Sequence, residues 1–122
     1  LSNVYITFYT GDLLQPAIDR GLTANLITAN LPYIETDDLR TLEVRKYEPH
    51  LALDGGVDGL DLVRRLLTQC PQVCAEGAQI LLEIGAKQGE TVRELAQSLL
   101  NPRAVDIIND YAGHDRVVKI QL

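Results

Sequence analysis

At 122 residues, with 46% hydrophobic and 23% charged residues, the chain has the composition of one soluble globular domain, short for an α/β enzyme that must also enclose a cofactor. The formal net charge of −6 argues against a broad electrostatic footprint on nucleic-acid phosphates; no apolar run approaches the ~20 residues a membrane-spanning helix needs, and no basic, apolar secretory leader opens the chain, so a cytoplasmic location is expected. Cys70 and Cys74 flank Pro71 with no histidine near them, which suits neither a zinc site nor a disulfide scaffold; they read as ordinary buried or half-buried thiols, and no metal site is expected.

In chain order, Val4-Tyr5-Ile6-Thr7-Phe8-Tyr9 is rich in β-branched and aromatic residues and halts at Gly11-Asp12, which predicts a strand ending in a turn. Asn25-Leu26-Ile27-Thr28-Ala29 predicts a second strand, stopped at Asn30-Leu31-Pro32-Tyr33 because proline cannot donate to a ladder. From Asp37 to Tyr47 charges alternate with Leu39, Leu42 and Val44, read as a short helix or irregular segment, and Asp54-Gly55-Gly56 reads as a turn. Leu60, Val63, Leu66 and Leu67 recur at helical spacing, closed by Pro71 and Gly77, while Arg64 and Arg65 on the same helix, like Arg40, Arg45 and Lys46, are taken as a solvated face.

Gln79-Ile80-Leu81-Leu82-Glu83-Ile84 is a nearly continuous apolar run of the kind buried on both faces of a sheet, followed by a helix over 88–100 with Val92, Leu95, Ala96 and Leu99 as its stripe. Two short β-prone runs, 104–108 and 117–120, are spaced to form a terminal antiparallel pair. Strands alternating with helices imply an α/β fold with a largely parallel sheet and an antiparallel hairpin at its C-terminal edge.

Ligands of open α/β sheets bind at the carboxyl ends of strands, which singles out Asp12 and the tetrapeptide 30–33. A carboxylate at a strand end can accept from an exocyclic amine, so Asp12 is a candidate reader of an adenine edge, although Gly-Asp is also simply a turn. The tetrapeptide is more telling. An amide or aromatic amine nitrogen is a poor nucleophile because its lone pair is delocalised, so an enzyme that methylates one must hold both N–H bonds away from the line of attack. The side-chain oxygen of Asn30 and the backbone carbonyl of Leu31 can do so, Pro32 stiffens the turn, and Tyr33 offers a flat face to a planar target and a π surface to a nearby cation. In isolation the four letters read more plainly as a proline turn with a locally bonded Asn and a core Tyr.

Their context is more specific. Asn30-Leu31-Pro32-Tyr33-Ile34, the run from Tyr47-Glu48-Pro49-His50 through Asp58-Gly59-Leu60, Leu82-Glu83-Ile84-Gly85 with Gln88-Gly89, and Asp110-Tyr111-Ala112-Gly113-His114-Asp115-Arg116-Val117, in that order, resemble the HemK family of N5-glutamine methyltransferases acting on peptide chain release factors. The resemblance covers nearly the whole chain, and the Glu48-to-Leu60 block discriminates best. It implies a class I, Rossmann-like methyltransferase fold, S-adenosylmethionine as methyl donor and a release factor as protein substrate. It also implies that Asn30, Leu31, Pro32 and Tyr33 hold the substrate glutamine, with Asn30 and Tyr33 as the catalytic pair, and that Asp12 and Leu13 lie beside the donor's adenine with Asn30 facing the donor. The usual tetrapeptide has proline where this chain has Leu31; the working atom there is a backbone carbonyl, so the change loosens the turn without removing the acceptor.

Family members also carry a helical substrate-recognition domain and a glycine-rich loop after the first strand, followed by an acidic residue for the donor's ribose; nothing between Leu1 and Gly11 matches these, and Gly55-Gly56 and Gly85 read as turns. Residues 1–122 are therefore expected to form one unit, the C-terminal part of the catalytic domain without its first two strands, a poor donor binder alone. With the family strand order 3-2-1-4-5-7-6, the strand at 26–29 becomes a bare edge, onto which the first strand refolds or a second copy pairs. Two rival readings are an adenine-N6 nucleic-acid methyltransferase, whose motif Asn-Leu-Pro-Tyr also resembles, opposed by the acidic charge and the Glu48-to-Leu60 block, and a non-catalytic interaction module derived from a methyltransferase.

Overall fold

The computed structural model describes residues 3–32 and 59–122. Among them the chain forms α1 (Gln15–Asp19), β1 (Ala24–Asn30), α2 (Asp61–Gln69) with a 3-10 turn over Cys70–Gln72, β2 (Cys74–Glu83), α3 (Gly89–Leu100), β3 (Ala104–Asn109) and β4 (Asp115–Gln121). The strands make one sheet in the order β1-β2-β4-β3, parallel between β1 and β2 and antiparallel across both sides of β4. The expected alternation of strands and helices and the C-terminal hairpin are both present.

Side-chain alternation along the strands divides the sheet into two unlike faces. Ile27 of β1, Ile80 and Leu82 of β2 and Val118 and Ile120 of β4 are buried, and they share one core with Val63, Leu66 and Leu67 of α2 and Val92 and Ala96 of α3. The helical spacing of Leu60, Val63, Leu66 and Leu67 was thus a core stripe, and each is worth about 1.5–3 kcal/mol of burial. Residues of the other parity, Leu26, Thr28 and Asn30 of β1 and Gln79, Leu81 and Glu83 of β2, face away from that core and stay partly or largely accessible. In α3 the stripe is narrower than its spacing suggests: Val92 and Ala96 are buried, whereas Leu99 is 42% exposed.

Three local readings are corrected. Residues 4–9 form no strand: Val4, Tyr5, Ile6 and Phe8 are 69–89% exposed, and the segment touches Arg20 through a cation over the Tyr9 ring at 4.2 Å. β-Propensity is realised only by cross-strand packing, and no described strand lies beside this segment. Nor does it refold onto β1, which stays an edge of the described sheet, the second-copy version of that expectation being left. β2 begins at Cys74 rather than at Gln79, and Gly77, with φ 74°, sits inside it where the pairing with β1 slips between Ala24/Cys74 and Leu26/Gln79; a bulge, not a helix end, uses this glycine. The five-residue α1, opened by Pro16 in its first turn, is too short for periodicity to reveal. The segment expected over 37–47, the turn at 54–56 and most of the Glu48-to-Leu60 block lie outside the described residues.

A candidate active site at the carboxyl end of β1

The chain enters the site through the loop 11–14. Gly11 is required there, because a Cβ would run into the Pro16 ring. The Asp12 carbonyl accepts from the Gln15 amide at 3.0 Å and starts α1. Between them Leu13 is held at φ 52°, in the left-handed region that costs a branched side chain about 1–2 kcal/mol. Two residues of α2 hold this loop: the Arg65 guanidinium pairs with the Asp12 carboxylate, and Gln69 Oε1 accepts from the Leu14 amide at 2.8 Å.

Gly11, Asp12, Leu13, Leu31, Pro32, Leu62 and Arg65 line a cleft of about 450 Å³. Its walls are chiefly aliphatic, with one carboxylate and one guanidinium at the rim, a composition suited to a flat, nitrogen-rich ring system. Asn30 is directed elsewhere. It lies on the open face of the sheet, in a second cleft of about 320 Å³ with Thr28, Ala29, Leu81, Glu83 and Val117. Asn30 and Glu83 are register partners on parallel strands, so their side chains stand on the same face at neighbouring strand ends. The two clefts therefore meet where β1 ends: Asn30 belongs to one, Leu31 and Pro32 to the other. Asp12, Leu13, Leu31 and Pro32 line one cleft, Asn30 adjoins them from the opposite face, and Tyr33 lies outside the described residues.

Arg65 is half exposed, as a solvated face implies, and it also reaches across 53 positions of sequence to Asp12, while Arg64 bonds Asp61 at 3.0 Å. Leu62, Arg65 and Gln69 recur at helical spacing along one side of α2; that spacing was legible, but a polar stripe names no partner by itself. Glu83 was quoted only as part of a motif, without a role.

The other motif residues build the frame. Gln88 Oε1 accepts from the Gly85 amide at 2.9 Å, and a Cβ at Gly89 would meet the Asp115 carboxylate and Ile107, so Gln88-Gly89 is the close approach of α3 to the hairpin. Asp110 accepts from the amides of His114 (3.0 Å) and Ala112 (2.9 Å) and from Arg116 (3.1 Å). The His114 amide first, and Arg116 and Ala112 with it, hold this carboxyl below its ordinary range against the opposing effect of desolvation. The thiols sit at the far end of β2: Cys70 is fully buried, and burial, with Cys74 beside it, pushes its pKa up to about 12, so it stays protonated and inert at neutral pH. Among the described residues no group of three His, Cys, Asp or Glu could hold a metal ion, and no helix is long and apolar enough to cross a membrane.

The architecture is that of the class I, Rossmann-like methyltransferases. The chain matches the solved protein-(glutamine-N5) methyltransferase (release factor-specific) of Alicyclobacillus acidocaldarius with a TM-score of 0.59 and 27% identity, over 88% of this chain and 54% of that one. Its sequence aligns with release factor glutamine methyltransferases of Bacillus anthracis (41% identity, 93% of this chain and 41% of the relative), Moorella thermoacetica (44%, 91% and 39%) and Staphylococcus aureus (35%, 95% and 42%). No family model matches the chain. On these alignments it is similar to the release factor glutamine methyltransferases, and it spans about two fifths of the length of the curated relatives it matches.

Proposed function

We propose that this chain is the C-terminal part of the catalytic domain of an enzyme that transfers a methyl group from S-adenosylmethionine to the side-chain amide nitrogen of a glutamine in a peptide chain release factor. The observation that carries this reading is the seating of Asn30 at the last position of β1, directly before Leu31 and Pro32 become the wall of the cleft that holds Asp12 and Leu13.

The first cleft fits the donor's adenosine: Leu13, Leu31, Pro32 and Leu62 offer aliphatic surface to the ring faces, and Asp12 an acceptor for the exocyclic amine. The donor, when bound, supplies an electrophilic methyl group on a sulfonium. Everything else falls to the chain. Asn30 Oδ1 and the Leu31 carbonyl each accept one N–H of the target amide, so that the nitrogen lone pair is turned toward the donor, and Tyr33 stacks on the planar amide. The nitrogen takes the methyl group as the carbon–sulfur bond breaks to leave a neutral thioether, and the methylated, cationic amide is acidic enough to give its extra proton to water, so no general base of tuned pKa is needed. The acidic charge of −6 favours a protein over a nucleic acid as the acceptor.

Two measurements test this. Calorimetric titration with S-adenosylhomocysteine is expected to give micromolar binding for the whole enzyme, weakened by Asp12→Ala and Asn30→Ala, and only weak binding for residues 1–122 by themselves. Incubation of the whole enzyme, of which this chain is a part, with labelled donor and a release factor is expected to label a glutamine side chain, about 100-fold more slowly for Asn30→Ala, while residues 1–122 alone are expected to be inactive. Label appearing on nucleic-acid adenine instead overturns the choice of substrate.

A further inference from the structure

We propose that Arg65 and Gln69 of α2 are positioning residues for the donor: they clamp the loop 11–14 at two points and so aim the Asp12 carboxylate at the exocyclic amine of the adenine. This rests on the reading of the first cleft as the adenosine site.

Three independent observations converge on the loop. Leu13 occupies a left-handed conformation at φ 52°, which a leucine holds only where its surroundings over-determine it. The residues on either side of Leu13 are the two that α2 grips, Asp12 through Arg65 and Leu14 through Gln69, whose Oε1 accepts from the Leu14 amide at 2.8 Å. Arg65 and Gln69 stand one helical turn apart, and Arg65 lines the same cleft as Asp12 and Leu13.

The chemistry of the pair assigns each oxygen a task. Arg65 engages Oδ2 of Asp12, which fixes the rotamer of a side chain otherwise 62% exposed. Among the described residues Oδ1 has no other partner and is left to accept from the ligand. An oxygen of an aspartate carboxylate is an acceptor only. A carboxylate so held accepts from the amine of adenine and is repelled by the carbonyl that replaces that amine in hypoxanthine. The specificity of the cleft for a 6-amino purine is therefore set in part by a helix outside the loop. Gln69 has a different share: by holding the Leu14 amide it maintains the backbone that both purines meet.

The experiment is a nuclear magnetic resonance titration of the isotope-labelled chain with adenosine and with inosine, following the amides of residues 11–15. For the wild type a preference for adenosine of about tenfold is expected, the difference one charge-assisted hydrogen bond makes. Asp12→Asn and Arg65→Met both bring the ratio close to one; Arg65→Lys, which keeps the charge but not the fork, leaves an intermediate ratio. Gln69→Leu weakens both nucleosides alike and speeds hydrogen exchange of the Leu14 amide. A general loss of stability would lower both affinities without changing their ratio. If Asp12→Asn abolishes the preference and Arg65→Met leaves it intact, the clamp is overturned while the adenosine reading stands. If wild-type amides 11–15 respond to neither nucleoside at millimolar concentration, or Asp12→Asn leaves the preference unchanged, the adenosine reading fails and the proposal with it. Should Arg65→Met not fold, Arg65→Lys decides: an intermediate ratio supports the clamp and a wild-type ratio overturns it.

Discussion

Two turns of this molecule are each organised by one aspartate, and they are built in opposite ways. In the hairpin between β3 and β4, Asp110 finds its partners within six residues: the amides of Ala112 and His114, and Arg116. In the loop before α1, Asp12 is bonded from 53 residues away by Arg65 of α2. A carboxylate that closes on its own turn stabilises local geometry and is largely indifferent to the rest of the fold. A carboxylate held by a distant helix transmits the position of that helix to whatever the loop touches, and here the loop touches a cleft.

The largest effect expected removes what carries the long-range anchor. Leu67 is fully buried on the core side of α2, and Leu67→Ala costs about 2–5 kcal/mol by lost transfer and cavity energy, read by urea unfolding. If the contrast holds, amides 11–15 lose exchange protection in this variant well before amides 110–116 do. Next is Gly11→Val, whose side chain has nowhere to go against the Pro16 ring. Overpacking here costs about 1–3 kcal/mol, and the accompanying amide shifts are expected in the loop and absent from the hairpin.

Arg65→Met comes third. The pair it breaks is half exposed on the arginine side, so solvent screening keeps its contribution to stability under about 1 kcal/mol; the change is expected in the loop's order and not in the melting temperature. A drop in melting temperature as large as that of Leu67→Ala would erase the distinction between anchor and core. The smallest effect is a titration. Because the Asp110 carboxyl lies below its ordinary value of 3.8 in the folded chain, its contribution is present above that value and lost as pH falls through the lower, folded one. Amide shifts of Ala112 and His114 followed against pH are expected to turn over below 3.8. A midpoint at or above it would show that the hairpin bonds do not favour the ionised form.

How much of this was readable beforehand follows the range of the interactions. The stripe on α2, the strand containing Ile80 and Leu82, and the terminal hairpin rest on periodicity and turn residues, which local sequence carries, and all three are found. The same local signals misplaced residues 4–9, since Val4, Tyr5, Ile6 and Phe8 promise a strand that only a neighbouring strand can realise. Gly77 was likewise read as an end when it marks a slip in pairing, a fact about two strands rather than one.

The candidate site divides along the same line. Sequence by itself determined which residue types sit at the two turns, Asp12 before α1 and Asn30-Leu31-Pro32 at the end of β1, because turn chemistry is a local matter. Only the tertiary structure decided that Asn30 and Leu31 face different clefts, because alternation along β1 acquires a meaning once one face is covered by α2 and α3. It alone also decided that the solvated charge of Arg65 is paired with Asp12, since the identity of an ion's partner depends on where the chain has folded and not on the residues beside it.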